Sequence, residues 1–512
     1  MNNETIIIID YGSQYTQLIT RRIREENVHS IIIPYDFKES QIKKYKIAGI
    51  ILSGGPSSVY EKNAPQLNEI IFSYNVPILG ICYGLQLLIE HSNGLVRNVG
   101  TGEYGRAEIK VKNKNNLFKD IPSSFKAWMS HGDKIEKMPE NWDITSLSEN
   151  NVISSIQNES KNIYGVQFHP EVVHTDQGQS MIKNFIFNIC NVEPNWSSEN
   201  FIKNTIESIR KTVGDNKVMC ALSGGVDSTV VSTLMKHAIG DNAICVFIDH
   251  GLLRKNEAQE VVEMFNESLD LGVNLFDCSK EFLDKLKNIT NPEEKRKIIG
   301  NQFIKEFEKI TNEFGEIKFL AQGTLYPDII ESGGFGGVAE TIKSHHNVGG
   351  LPEDLSFTLI EPVKELFKDE VRKIGQELEI PSNFLSRHPF PGPGLAIRII
   401  GDINNERLNI LRESDSIFMN ILKEEGEYDN IWQAFCVLLP IKSVGVMGDK
   451  RTYENVICLR MVTSLDGMTA DWYDLPSNIL KLCSNRIVNE VKGVNRVVLD
   501  VTSKPPGTIE WE

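Results

Sequence analysis

Short, largely apolar runs alternate with amphipathic stretches over the first ninety residues, and this restricts the fold more than any other feature. TIIIID (Thr5–Asp10), VHSIII (Val28–Ile33), IAGIIL (Ile47–Leu52) and VPILGI (Val76–Ile81) read as strands, and SQYTQLITRRIREEN (Ser13–Asn27) reads as an amphipathic helix. Strands apolar on both faces must be covered by helices above and below, which specifies a doubly wound, mostly parallel α/β sheet. From about Gly105 to Gln167 the pattern loosens into shorter β-like pieces. It restarts at KVMCALSGG and continues to EIKFLAQGT (Glu316–Thr324), so a second domain of the same class is expected. Pro194 and a Ser/Asn cluster within Ile189–Phe201 separate the two runs. SRHPFPGPGLA (Ser386–Ala396) forbids regular structure and precedes a pattern of helix, two strands, helix and strand, a small α+β domain. The expected domains are therefore 1–193, 194–390 and 391–512. The glycine-rich, polar stretch Glu331–Leu355 reads as a long loop, functional or mobile.

Charge and cysteine usage narrow the function classes. With 54 Lys and Arg against 69 Asp and Glu, the net charge of -15 argues against a general nucleic-acid or anionic-membrane binder. The eight cysteines form no C-x-x-C pair, so neither a zinc ribbon nor a disulfide framework is expected, and reduced thiols point to the cytoplasm. MNNETIIIIDYG has no basic segment before its short apolar run, and no stretch approaches the roughly 18 apolar residues of a membrane span.

The string LSGG occurs twice, at Leu52–Gly55 and Leu222–Gly225, each time at the end of an apolar run. The first belongs with PILGICYGLQLLIE (Pro77–Glu90), a strand followed by Gly80-x-Cys82-x-Gly84 and then a helical pattern. That is a nucleophile elbow carrying cysteine, with the thiol at a helix N-terminus. His169-Pro170-Glu171 supplies a base and a carboxylate to orient it. The amides of Gly54, Gly55 and Tyr83 are candidates for an oxyanion hole. Together these predict acyl transfer through a thioester. The second string opens SGGVDS and a helix: Ser223, Gly224, Gly225, Val226, Asp227, Ser228 and Thr229 form a loop suited to phosphate, without the lysine of a G-x-x-x-x-G-K-[ST] loop. Such a loop suits a site that grips pyrophosphate and leaves the α-phosphorus open to attack. Asp249 at the next strand end, and Gly323 with Asp328 at a later one, lie on the same sheet edge. Asp227 is the candidate ligand for a Mg2+ ion accompanying the bound phosphates.

Three resemblances give these sites specific roles. The first block resembles the class I glutamine amidotransferases at Gly80, Cys82, Gly84, Gln86, His169, Pro170 and Glu171, with Leu85 where that family often has methionine. It implies glutamine hydrolysis by Cys82, His169 and Glu171, with Gln86 in the glutamine site. SGGVDS resembles the N-type ATP pyrophosphatases, which adenylylate an oxygen of their substrate. NPEEKRKIIG, ETIKSHHNVGGLP, RHPFPGPGLAIR, LPIKSVGVMGDKRTY and the tail NRVVLDVTSKPPGTIEWE resemble the glutamine-hydrolysing GMP synthase family. That resemblance implies XMP as acceptor, bound by Arg296, Lys504 and Glu510, with Lys343 contacting ATP or the adenylate. It also implies a homodimer formed through the last domain. The rivals are a tRNA-thiolating enzyme, disfavoured by the charge and the lack of paired cysteines, and another glutamine-dependent amide-forming ligase, disfavoured by the C-terminal segment.

Overall fold

The computed structural model describes residues 4–98, 100, 102–114, 116–331, 357–464 and 469–512. Lys343 and most of the glycine-rich loop lie outside them. The chain divides into two compact units, one ending at Phe201 and the next beginning at Ile202.

Nine strands form the sheet of the first unit: β1 (Glu4–Asp10), β2 (His29–Pro34), β3 (Lys46–Leu52), β4 (Ile78–Ile81), β5 (Glu103–Val111), β6 (Ser124–His131), β7 (Asp143–Ser148), β8 (Ile153–Asn158) and β9 (Ile163–Val166). Their order is β2-β1-β3-β4-β9-β8-β7-β5-β6. The first five in that order are parallel; from β8 onward the pairing is antiparallel. Ile6 to Ile9 are fully buried, as continuous apolar strands in a covered parallel sheet must be. The antiparallel half alternates instead, with β6 reading exposed, buried, exposed, buried from Ser124, the period expected where one face meets water. Register fixes what meets at the sheet edge: Leu52 lies opposite Gly80, and Ile81 opposite Val166. The loops after β3, β4 and β9 therefore emerge side by side at the carboxyl ends of three neighbouring parallel strands, where α/β sheets bind ligands. Beyond the sheet the chain stays on this unit. The amides of Asn195 and Trp196 both donate to the Asn27 carbonyl at 2.8 Å, and the Trp196 ring packs 4.8 Å from His29.

In the second unit an all-parallel sheet contains β10 (Val218–Leu222), β11 (Ala243–Asp249), β12 (Asn274–Asp277), β13 (Phe319–Ala321) and β14 (Thr358–Ile360), in the order β12-β11-β10-β13-β14. Long strands β15 (Gln433–Met447) and β16 (Lys450–Thr463) form an antiparallel ribbon; β17 (Asp471–Trp472) and β18 (Val494–Asp500) both pair with β16. One apolar cluster runs from Met219 and Leu252 through Phe282, Leu395 and Leu411 to Ile457 and Ile487. The segments on either side of the proline-rich break thus share a core. Among the described residues no helix is long and apolar enough to cross a membrane.

Two histidines in this core tie its stability to pH. His250 and His388 are both pushed down to about 4, chiefly by burial. Each uses Nδ1 as an acceptor, from the amide of Leu252 at 3.0 Å and from that of Ala434 at 3.2 Å. Protonation would set a donor against a donor. The unfolded chain, with imidazoles near 6.5, therefore binds more protons than the native one below that pH. Stability is complete above about pH 6.5 and falls as pH drops through about 4, by up to about 3 kcal/mol for each histidine. Urea unfolding of the second unit should show its midpoint falling over this window, with a shallower fall in His388→Asn.

Candidate active sites

Helix α1 (Tyr83–His91) starts immediately after β4, leaving one residue to turn the chain. Cys82 occupies that turn at φ 51°, ψ -104°, a conformation costing about 1–3 kcal/mol in a non-glycine residue. Surrounding contacts hold it there. The Cys82 amide donates to Val166 O at 2.7 Å and the Gly84 amide to Ser53 O at 3.0 Å. Gly84 has no alternative, because a Cβ there would lie 2.4 Å from the Leu52 carbonyl oxygen. The thiol faces Gln167, whose Nε2 is 3.5 Å from Sγ, and lies 3.9 Å from Ser130 O.

His169 follows β9 and is almost fully buried. Its Nδ1 lies 2.7 Å from Oε1 of Glu171, a carboxylate with no exposed surface whose Oε2 finds no donor among the described residues. Thr175 Oγ1 donates to the His169 carbonyl at 2.6 Å, and the Tyr15 ring stands edge-on at 5.1 Å. Burial disfavours a charge on His169, but Glu171 and the Cys82 thiol outweigh it, and the imidazole pKa is raised well above 6.5. The site therefore favours imidazolium beside sulfur. Gly54 lies against the same ring. The Tyr83 amide, at the first helical position, is one of those N–H groups for which a helix offers no acceptor. Gln86 is buried one turn further on, and its Nε2 donates to Gln167 Oε1 at 3.4 Å, linking it through Gln167 to the thiol.

The second LSGG string links β10 to helix α2 (Val226–Ile239). Gly224 has φ 74°, and a small hydroxyl network shapes the turn: Ser223 N to Ser228 Oγ at 3.2 Å, Ser228 Oγ to Gly225 O at 3.0 Å and Thr229 Oγ1 to Gly225 O at 2.8 Å. Asp249 ends β11, where its Oδ1 accepts from the Gly251 amide at 2.8 Å; burial raises its pKa. Gly323 follows β13 and packs against Asp227. These residues share the carboxyl edge of one parallel sheet. Asp328 caps the next helix, accepting from the Leu325 amide at 2.9 Å.

Two cations at this loop escaped the sequence reading. Lys368 opens helix α4, after α3 (Pro292–Thr311), at Lys368–Glu377, and its Nζ lies 2.7 and 2.6 Å from the two oxygens of Asp227. Arg387 donates from NH1 to Gly224 O at 2.8 Å and from NH2 to Glu257 Oε1 at 2.6 Å. An ammonium group thus stands beside a hexapeptide that contains none.

Of the three residues expected at the acceptor, Arg296 lies on α3 and donates from NH2 to Glu512 O at 2.5 Å. The Glu510 carboxylate receives Arg398 Nε at 3.1 Å, Arg398 NH2 at 2.7 Å and Gln433 Nε2 at 2.7 Å. Lys504 exchanges main-chain bonds with Ala470 at 2.7 and 3.1 Å. Arg398 is fully buried between Phe390 and Phe435, 5.1 and 4.1 Å from their ring centres.

Three stretches of the chain match known protein families. Residues 7–189 match the glutamine amidotransferase class-I family, 197–297 the PP-loop domain and 420–511 the GMP synthase C terminal domain. Curated relatives named GMP synthase [glutamine-hydrolyzing] are similar along the whole chain. That of Aquifex aeolicus is 55% identical over 512 residues, covering 100% of both chains. That of Thermosipho melanesiensis is 54% identical over 518 residues, covering 99% of this chain and all of its own. The Brachyspira hyodysenteriae protein is 52% identical over 511 residues, covering 100% of this chain and 99% of its own. Among solved structures, a putative GMP synthase component from Thermoplasma acidophilum is 30% identical over 37% of this chain and 96% of its own, with a TM-score of 0.33. With full-length identity above one half to several such enzymes, the chain belongs to the glutamine-hydrolysing GMP synthase family of AMP-forming ligases.

Proposed function

We propose that this chain converts XMP, ATP and glutamine into GMP, AMP, pyrophosphate and glutamate, through domains at 1–193, 194–390 and 391–512. What carries the reading is the presence, in one chain with such relatives, of a thiol–imidazole–carboxylate line and of a phosphate loop faced by an ammonium. Cys82 as thiolate attacks the glutamine amide carbon. The amides of Tyr83, Gly54 and Gly55 receive the oxyanion, and imidazolium His169 gives its proton to the departing ammonia. His169 then accepts a proton from the water that opens the thioester, while Glu171 holds the ring in one orientation.

In the second unit the XMP O2 oxygen attacks the α-phosphorus of ATP and pyrophosphate leaves. The Ser223–Thr229 loop and Lys368 hold the leaving group's charge, with Asp249, Gly323, Asp328 and Lys343 assigned to the rest of the nucleotide. Ammonia attacks C2 of the adenylate, AMP departs with the former O2 oxygen, and GMP remains. Asp227 would hold a Mg2+ ion carried by ATP, which neutralises charge on the β- and γ-phosphates. Both oxygens of this part-exposed carboxylate are paired with Lys368 Nζ, so an ion there would take Asp227 in place of the ammonium and leave Lys368 free for phosphate. Arg296, Lys504 and Glu510 are assigned to XMP, and Gln86 and Gln167 to the glutamine side of the thiol. We also take the protein to be a cytoplasmic homodimer that binds neither nucleic acid nor membrane. Exposed Ile441, Val444, Val446 and Tyr453 on the β15–β16 ribbon support pairing through residues 391–512.

The reading is tested by supplying ATP, Mg2+ and ammonia with XMP, deamido-NAD, aspartate or UTP and measuring pyrophosphate. Release with XMP alone is expected; release with another acceptor overturns the assignment.

A further inference from the structure

Lys295 is fully buried, a rare state for a lysine, and it belongs to no step of the proposed reaction. It lies on α3, one residue before Arg296. Its Nζ donates to the carbonyls of Ala396 at 3.1 Å and Ile399 at 2.8 Å, and pairs with Glu512 Oε2 at 2.5 Å. The other Glu512 oxygen accepts from the Gly401 amide at 3.3 Å, so both carboxylate oxygens are fixed. From this anchor two paths lead to the acceptor residues. Along one, the Glu512 carbonyl oxygen holds the Arg296 guanidinium. Along the other, Glu510 lies two residues back and is aimed by Arg398, itself buried without exposure. Two buried cations thus pin the same short tail, one at Glu512 and one at Glu510. Burial holds the Lys295 pKa below the usual lysine value, with Glu512 opposing the shift.

We propose that Lys295, acting through Glu512, is a positioning residue that orders the tail and thereby sets Arg296 and Glu510 for the acceptor nucleotide. The proposal rests on the assignment of those two residues to XMP. Geometry supports it over a purely structural role. A lysine needed only for packing would be replaced at low cost by an apolar side chain, whereas this one donates all three N–H bonds to the tail and to the 396–399 turn that contains Arg398.

Ammonia-driven synthesis by the full-length enzyme separates the possibilities. Glu512→Gln removes the charge and preserves the shape; it is expected to raise KM for XMP about tenfold, leaving KM for ATP and kcat within about twofold, and the same profile is expected of Lys295→Met combined with Glu512→Leu if that protein melts at the wild-type temperature. The double variant guards against Lys295→Met alone leaving an unpaired buried carboxylate and failing to fold. Unchanged KM for XMP in the folded Glu512→Gln enzyme overturns the proposal, as does an equal loss for XMP and ATP. Arg296→Ala is run alongside. If it raises KM for XMP while Glu512→Gln does not, only the positioning role is wrong. If Arg296→Ala also leaves KM for XMP unchanged, the acceptor assignment itself has failed.

Discussion

Replacing Cys82 by alanine is expected to abolish glutamine-dependent GMP formation and leave ammonia-driven formation within about twofold of wild type. The loss is large because sulfur is the atom that bonds to the substrate; removing a nucleophile costs on the order of 10⁶ in kcat where measured in hydrolases of similar logic. Three features of the structure make the thiol the right atom. It stands at a strained turn that the Cys82–Val166 and Gly84–Ser53 bonds enforce. It sits beside an imidazole that holds its proton well above the usual histidine range, burial notwithstanding, because of Glu171 and the sulfur itself. And the carboxylate behind that imidazole has no exposed surface, so its charge is answered by the ring. Parallel assays with glutamine and with ammonium chloride check the result. Should ammonia fail to support synthesis in Cys82→Ala, the separation of the reaction into two sites is wrong.

The second large effect is expected at the phosphate loop. Asp227→Ala and Lys368→Met should each lower XMP-dependent ATP–pyrophosphate exchange by about 10²–10³ in the absence of ammonia and glutamine, with Cys82 still alkylated at the wild-type rate. Lys368 opens helix α4, where the positive end of the helix dipole disfavours a cation by a few tenths of a kcal/mol to about 1. What keeps it in place is Asp227, whose two oxygens lie 2.7 and 2.6 Å away. The pair is part-exposed, so the expected loss lies in chemistry rather than stability. Exchange persisting within tenfold in both variants would contradict the assignment.

How much of this was legible follows from the range of the interactions. The elbow at Cys82, the SGGVDS turn and the apolar strands are local: each needs only neighbours in sequence, and periodicity or glycine placement reveals them. Parallel register then brings Gly54, Cys82 and His169 together without any further signal, because the loops follow adjacent strands. Lys368 was not legible, since it reaches Asp227 across 141 residues. Its one trace is a lysine in the first turn of LFKDEVRKIGQE, where a helix prefers acid. Lys295 and Glu512 were hidden for the same reason, 217 residues apart, in a helix and a tail that each look solvated alone. Gln167 reads as an ordinary strand-end polar residue until the fold sets its amide against the thiol. The antiparallel half of the first sheet was readable only as shorter β-like pieces, because strands with one wet face carry a weaker apolar signal than those buried on both.

The most direct test of the central claim follows one oxygen atom. With XMP carrying ¹⁸O at C2, ATP, Mg2+ and glutamine, and product AMP analysed by mass spectrometry, the label is expected in the phosphate of AMP, one atom for each GMP formed. Label found in orthophosphate or pyrophosphate, or lost to water with none in AMP, would contradict adenylylation of XMP as the activating step.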